Sequence, residues 1–208
     1  ILSVQPFGLG GIILKARHGP TRNKVVEIIE KSLREHRIQK VHPGISESHL
    51  DGGLDFASTL ESRKPVYTQG IFDGKPKFIK LVMGEKVEPA VAARFTQKMD
   101  NGHRLSLIVL DEGIGDDEKT PAGLMDRLSF FLNLDSIPFS KIKKIRIKNK
   151  QIQKAKDTLK KITVPENFLK DVTNLGVCLG INSLRPPFFT IKVSSILAAL
   201  RGSTSVSE

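Results

Sequence analysis

Short apolar runs alternate along this chain with segments whose apolar positions recur every three or four residues. That rhythm predicts β-strands interleaved with α-helices. Gly11 to Lys15 is the first strand-like run, and Val25, Val26, Ile28, Ile29 and Leu33 then recur at helical spacing up to the charged stretch Arg34 to Arg37. Further strands are predicted at Ile38 to Val41, Lys77 to Met83, Leu105 to Leu110 and Phe130 to Leu134. Between them, Pro89 opens a helix carrying Val91, Ala92, Phe95 and Met99 that Asn101-Gly102 stops, and Pro121 to Arg127 forms another. Asp51 to Phe56 reads as a loop leading into a short helix that Lys64-Pro65 breaks. Strand and helix in alternation point to an α/β domain with a largely parallel sheet.

From about Asn149 the pattern is helical only. Ile152, Ala155, Leu159 and Ile162 form one stripe. Pro165 can open a second helix, with Phe168, Leu169, Val172, Leu175 and Leu179 expected to face inward and Gly180 at its end. Asn182 or Ser183 can cap a third, which runs through Ile191, Ile196, Ala199 and Leu200 to Gly202. The expected layout is an α/β body over residues 1–148, a helical lid over 149–202 and a flexible tail over 203–208. A parallel sheet flanked by helices and followed by a small three-helix lid is the plan of AAA+ proteins, a P-loop NTPase-like class.

The turn from first strand to first helix, Ala16 to Asn23, sits where such proteins hold nucleotide. A working P-loop, G-x-x-x-x-G-K-[ST], needs glycines so that backbone N–H groups can curl around phosphates, a lysine for the β/γ-phosphates and a hydroxyl for Mg²⁺. Here those positions fall on Ala16, Thr21, Arg22 and Asn23, and Pro20 removes an N–H donor. Arg22 and Lys24, beside Gly19, leave two readings: weak attraction of a nucleotide's phosphates to a helix N-terminus, or plain solvated charge.

Composition narrows the partners. The 208 residues are 39% apolar and 6% aromatic with no Trp, which suits an aliphatic core. No run approaches the roughly 18 apolar residues of a membrane span. The chain opens Ile1-Leu2-Ser3-Val4 without Met, and is expected to be a piece of a longer protein. Its one cysteine, Cys178, excludes an intrachain disulfide and, in the context Gly-Val-Cys-Leu-Gly, reads as a buried small hydrophobe. Most of the net charge of +11 falls after Ser136, where fourteen Lys or Arg face four acidic residues, chiefly between Lys141 and Lys161. No aromatic interleaves with these lysines, so a base-stacking nucleic-acid surface is not expected; a solvated or protein-facing block is. The five histidines show no metal-ligand spacing.

Leu107-Ile108-Val109-Leu110-Asp111-Glu112 fits the apolar-strand-then-carboxylates signature with which an ATPase orients Mg²⁺ and the attacking water. Order argues against that use. The earlier strand Phe78 to Val82 already takes that place and is followed by Met83-Gly84, so Asp111-Glu112 falls on the next, sensor-1 strand. The acidic turn, with Asp116, Asp117 and Glu118, is read as a solvated loop or as an ionic contact with a neighbouring protomer.

Leu110-Asp111-Glu112-Gly113-Ile114-Gly115-Asp116-Asp117-Glu118, followed by Leu124-Met125-Asp126-Arg127-Leu128-Ser129-Phe130, resembles the magnesium chelatase family, in its D-type component. Gly10 to Arg22, His42-Pro43, Gly52-Gly53-Leu54-Asp55 and Gly180 to Arg185 extend the resemblance over nearly the whole chain, in the family's order. It implies an AAA+ domain with a degraded nucleotide site, acting beside a separate ATP-hydrolysing component and a porphyrin-binding chelating component in the ATP-driven insertion of Mg²⁺ into protoporphyrin IX. ATP and Mg²⁺ would be used by the parent complex, with no cofactor held tightly here. The location would be the cytoplasm of a phototrophic bacterium, or the plastid stroma in a plant or alga. Two residues carry over: Arg127 matches the arginine finger that reaches a neighbour's ATP, and Arg185 the sensor-2 arginine that links lid to nucleotide. Two alternatives remain at this point: a divergent active ATPase using Asp111 and Glu112, and an ATP-inert module associated with nucleic acid.

Overall fold

Five of the apolar runs form one parallel sheet in a computed structural model that describes residues 1–115, 117–143 and 148–206. Its strands are β1 (Gly11–Lys15), β2 (Arg37–Val41), β5 (Lys77–Leu81), β6 (Leu105–Asp111) and β7 (Phe130–Asn133), in the spatial order β2-β5-β6-β1-β7. The strand containing Phe78 therefore lies between β2 and β6, and β6 lies beside β1, as the AAA+ plan requires. β6 is buried at all seven positions, and its register sets Leu14 against Leu110 and Lys15 against Asp111. A strand covered on both faces reads as an unbroken apolar run, because each face needs its own apolar cover.

Helices fill the two faces. α1 (Pro20–Ser32) packs Val25, Val26 and Ile29 on the side of Leu14, Phe78 and Ile108. α4 (Pro89–Asp100) buries Val91, Ala92 and Phe95 on the side of Ile13, Ile79 and Leu107. The fully buried Phe95 ring meets Phe72 edge-on at 5.1 Å. α5 is short (Ala122–Met125) and leads straight into β7. Glycine is obligatory where β1 begins: Gly10 has φ +68°, and a Cβ there would lie 1.7 Å from the Arg127 carbonyl oxygen. That close approach pins Arg127 to the N-terminal end of β1.

Between β2 and β5 the chain makes α2 (Glu47–Asp51), β3 (Gly52–Leu54), α3 (Phe56–Ser62) and β4 (Tyr67–Gln69). The stretch expected as loop at Asp51 to Phe56 is thus partly a strand, with Gly52 opposite Gln69 and Leu54 opposite Tyr67. Two glycines and one leucine give no alternation to read; backbone pairing makes this ribbon, with the Thr68 hydroxyl donating to the Gly53 carbonyl at 3.2 Å.

After β7 come α6 (Asn149–Leu159), α7 (Glu166–Cys178) and α8 (Arg185–Arg201). Ala155 of α6 and Ile196 and Ala199 of α8 form a third core with Val4 and Leu9 from the chain's start. The Ser183 hydroxyl accepts the Arg185 N–H at 3.2 Å, close to the predicted capping role, although the capping position itself is Leu184. Three expectations fail here. Leu169, Leu175 and Leu179 are 37%, 58% and 66% exposed rather than inward, because α7 fully buries only Gly176, beside Pro187. Cys178, at the free end of that helix, is exposed rather than buried. The tail is tied down as far as Val206, which is buried; the Val206 N–H donates to the Thr163 carbonyl and the Thr163 N–H to that of Thr204. Within the expected basic block and tail, residues 144–147 and 207–208 lie outside the described residues, as does Asp116 of the acidic turn.

Candidate functional site

β1 delivers the chain to the loop 16–19, and α1 starts at Pro20 with Gly19 as its N-cap. Among the described residues no side chain caps this helix and no acidic residue stands in its first turn, so its positive end is left to whatever anion lies nearby. Gly19 is fully extended at φ 178°, and a Cβ there would meet nothing closer than the Arg17 carbonyl oxygen at 3.9 Å. Its backbone conformation and surroundings therefore do not themselves require glycine at that position.

Arg22 stands where a P-loop has its lysine, and it is neither solvated nor open. Its side chain is 6% exposed, and Nη1 donates to Glu112 Oε1 at 2.5 Å. Nε of the same guanidinium is buried with no partner among the described residues. Glu112 reaches it because β6 lies next to β1: the Ala16 N–H donates to the Asp111 carbonyl at 2.9 Å, which brings the end of β6 to the mouth of the loop. Lys24 has a different neighbour, pairing with Glu27 at 3.0 Å. Glu27 is also gripped by Lys31, and these two hydrogen bonds draw its carboxyl down to about 2.

The acidic turn is not a solvated loop at its base. Asp111 is 3% exposed and accepts three hydrogen bonds, from the Gly113 N–H at 3.0 Å, the Thr120 N–H at 3.0 Å and the Thr120 hydroxyl at 2.7 Å. The carboxylate closes the turn: Oδ2 takes both Thr120 bonds and Oδ1 the Gly113 N–H, so most of its acceptor capacity, about four sites, serves the turn at a position buried from solvent. Glu112 has its backbone N–H held by Glu85 Oε2 at 2.9 Å. Glu85, in a 3₁₀ turn at Gly84–Lys86, was missed by sequence reasoning. Its signal was its place two residues past Met83, at the end of the strand where an ATPase carries its carboxylates.

A second charged cluster lies at the opposite end of the sheet. Arg127 donates from Nε to Asp100 Oδ1 at 3.0 Å and from Nη1 to the Gly123 carbonyl at 2.8 Å, and its Nη2 meets Asp100 Oδ2. Arg185 donates to Asp126 Oδ2 at 2.7 Å and to Asp100 Oδ1 at 3.1 Å. Hydrogen bonding from Arg127 is the main cause that holds the Asp100 carboxyl below its ordinary range, with the charge and hydrogen bond of Arg185 adding to it. The structure thus brings Arg127 and Arg185 together on one aspartate. It does not bring Arg185 to Gly19, Arg22 and Lys24, which lie beyond the far end of the five-residue β1, about 16 Å of strand away.

A sheet of this order, a loop and helix in the P-loop place and a trailing helical group define the AAA+ fold class, with an Arg22–Glu112 ion pair beside that loop. A structure from Cytophaga hutchinsonii, solved as a candidate ATPase, shares this fold with a TM-score of 0.66 at 13% identity, covering 99% of this chain and 75% of that one. No protein-family profile matches the chain. Over its whole length the chain is homologous to the N-terminal part of the magnesium-chelatase 60 kDa subunit, at 33% identity over 208 residues to that of Cereibacter sphaeroides. The same protein of Rhodobacter capsulatus is 32% identical over 206 residues, 99% of this chain. The chain spans 37% and 36% of the length of these two relatives. Among the described residues no helix is long and apolar enough to cross a membrane.

Proposed function

We propose that this chain is a non-hydrolysing AAA+ domain of a magnesium chelatase, a ring platform for the ATPase component in the ATP-driven insertion of Mg²⁺ into protoporphyrin IX. The observation that carries this reading is the pairing of the buried Arg22 guanidinium with the part-exposed Glu112 carboxylate. Where a hydrolysing domain needs a lysine free for phosphate, this one has a guanidinium already neutralised by a carboxylate of the same chain. The buried Asp111 supports the same reading, since three hydrogen bonds commit this other carboxylate of the β6 end to the turn.

In this proposal ATP and Mg²⁺ are used by the parent complex, with the ATPase component and the porphyrin-binding chelating component as partners in the cytoplasm of a phototrophic bacterium. The 149–202 helices act as the lid subdomain behind the α/β body. Arg127 is the finger offered to a neighbour's ATP, where a planar, permanently charged guanidinium stabilises charge that develops on the transferring phosphoryl group. Its pairing with Asp100 is the resting position from which it would be withdrawn, and the shared aspartate sets Arg185 on the same side. Assembly with the ATPase component tests this directly. Arg127→Ala should leave the ring able to form and lower its ATP turnover at least tenfold. Unchanged turnover in an assembled ring removes Arg127 from that role.

A further inference from the structure

The loop at the head of α1 is built like an anion seat, and the anion in it is a side chain. The helix is 13 residues long, with no capping side chain among the described residues and no acid in its first turn. Such a terminus presents partial positive charge along its axis. Arg22 adds a full charge to it, in a position buried from solvent. Its Nη1 bonds Glu112, while its Nε is buried without a partner among the described residues. A buried guanidinium nitrogen left unbonded is costly, and one carboxylate oxygen on Nη1 is a poorer match to the planar fork than the several oxygens of a phosphate group. Glu112 is in turn held in place by Glu85 through its backbone N–H. Asp111 fixes the turn that follows.

We propose that Glu112 is an internal counter-anion that keeps a phosphate seat at Arg22 closed, and that the seat accepts a phosphate group once Glu112 is neutralised. The proposal rests on the reading of this domain as one with a filled nucleotide loop, and it assigns the filling to one carboxylate. It follows that the loss of nucleotide handling here is not simply the loss of glycines and a lysine. Removing a single negative charge should restore affinity for the anion, though not hydrolysis, because Asn23 replaces the hydroxyl and Asp111 stays buried in its turn.

The experiment uses the full-length protein and inorganic pyrophosphate as the probe, at constant ionic strength, read by calorimetry and by thermal melting. Wild type should show no saturable binding at millimolar pyrophosphate. Glu112→Gln should melt at a lower temperature, regain stability as pyrophosphate is added, and bind it at least tenfold more tightly than wild type. Combining Arg22→Met with Glu112→Gln should abolish the gain. Should Glu112→Gln be unfolded alone, recovery of a cooperative melt on adding pyrophosphate is the expected result. Equal affinity in wild type and Glu112→Gln, failure of that recovery, or a gain that survives Arg22→Met each overturns the proposal. Turnover of ATP by the wild-type protein alone, measured alongside, would overturn the proposed function instead. Its absence with no gain in Glu112→Gln would sink the counter-anion and leave the platform standing.

Discussion

The Arg22–Glu112 pair predicts an asymmetry in stability that can be worked from its burial. Arg22 is 6% exposed at the side chain and Glu112 is 31% exposed. Glu112→Gln leaves a guanidinium with almost no route to water and only a neutral amide oxygen to bond, a loss of about 3 kcal/mol, at the low end for a buried pair because Glu112 is itself part-exposed. Arg22→Met leaves a carboxylate that can turn toward solvent, while the methionine fills most of the vacated volume, so its cost should be about 1 kcal/mol. The double variant replaces both charges by groups of similar size and should fall near wild type. At about 2–4 °C per kcal/mol for a domain of this size, Glu112→Gln should melt roughly 10 °C below wild type and Arg22→Met only a few degrees below. Circular-dichroism melts of the four proteins complete the double-mutant cycle and give the coupling directly. If Arg22→Met proves as damaging as Glu112→Gln, or if the double variant is as unstable as the sum of the two, the pair is not the desolvated contact described.

Other consequences are simpler. Phe95→Ala removes a fully buried ring that meets Phe72 and should cost about 3–5 kcal/mol in chemical denaturation. Thr120→Val takes one of three hydrogen bonds from the buried Asp111 and should cost about 1–3 kcal/mol, with loosening of the 113–119 turn seen as faster amide exchange. His36, lodged between Phe7 and Phe78, has its pKa pushed down, chiefly by burial. Its unfolded form therefore takes up a proton first on acidification. The linked stability is present above the unfolded value, near 6.5, and is lost as pH falls through the folded one. An imidazole titration by NMR at or above the unfolded value would refute this.

The sheet was legible because burial on both faces leaves a mark in the sequence: β6 is apolar at five of seven positions, β1 carries the run Ile12 to Leu14, and β5 keeps Phe78, Ile79 and Leu81 alongside two lysines. The order of strands followed from chain order once the loop and helix after β1 were placed. What could not be read was set by partners distant in sequence. Arg22 stayed open between phosphate attraction and a solvated charge because its counterion is ninety residues away. Asp111 is a different case, since its donors Gly113 and Thr120 lie close in sequence and only the folding of the turn brings them onto the carboxylate. α7 showed an amphipathic stripe, yet it meets α8 through Gly176, so periodicity described its composition and not its neighbours. Arg185 was placed by resemblance beside the nucleotide loop; the aspartates that bind it, Asp100 and Asp126, belong to the other end of the sheet.

The most direct test of the account is ATP turnover by the purified wild-type protein, alone and then assembled with the ATPase component. The filled loop predicts no measurable turnover alone. Hydrolysis would appear only in the assembled ring and fall with Arg127→Ala. Turnover by the isolated protein at a rate usual for AAA+ enzymes, lost on mutation of Asp111 or Glu112, would contradict the claim that this domain has closed its own site.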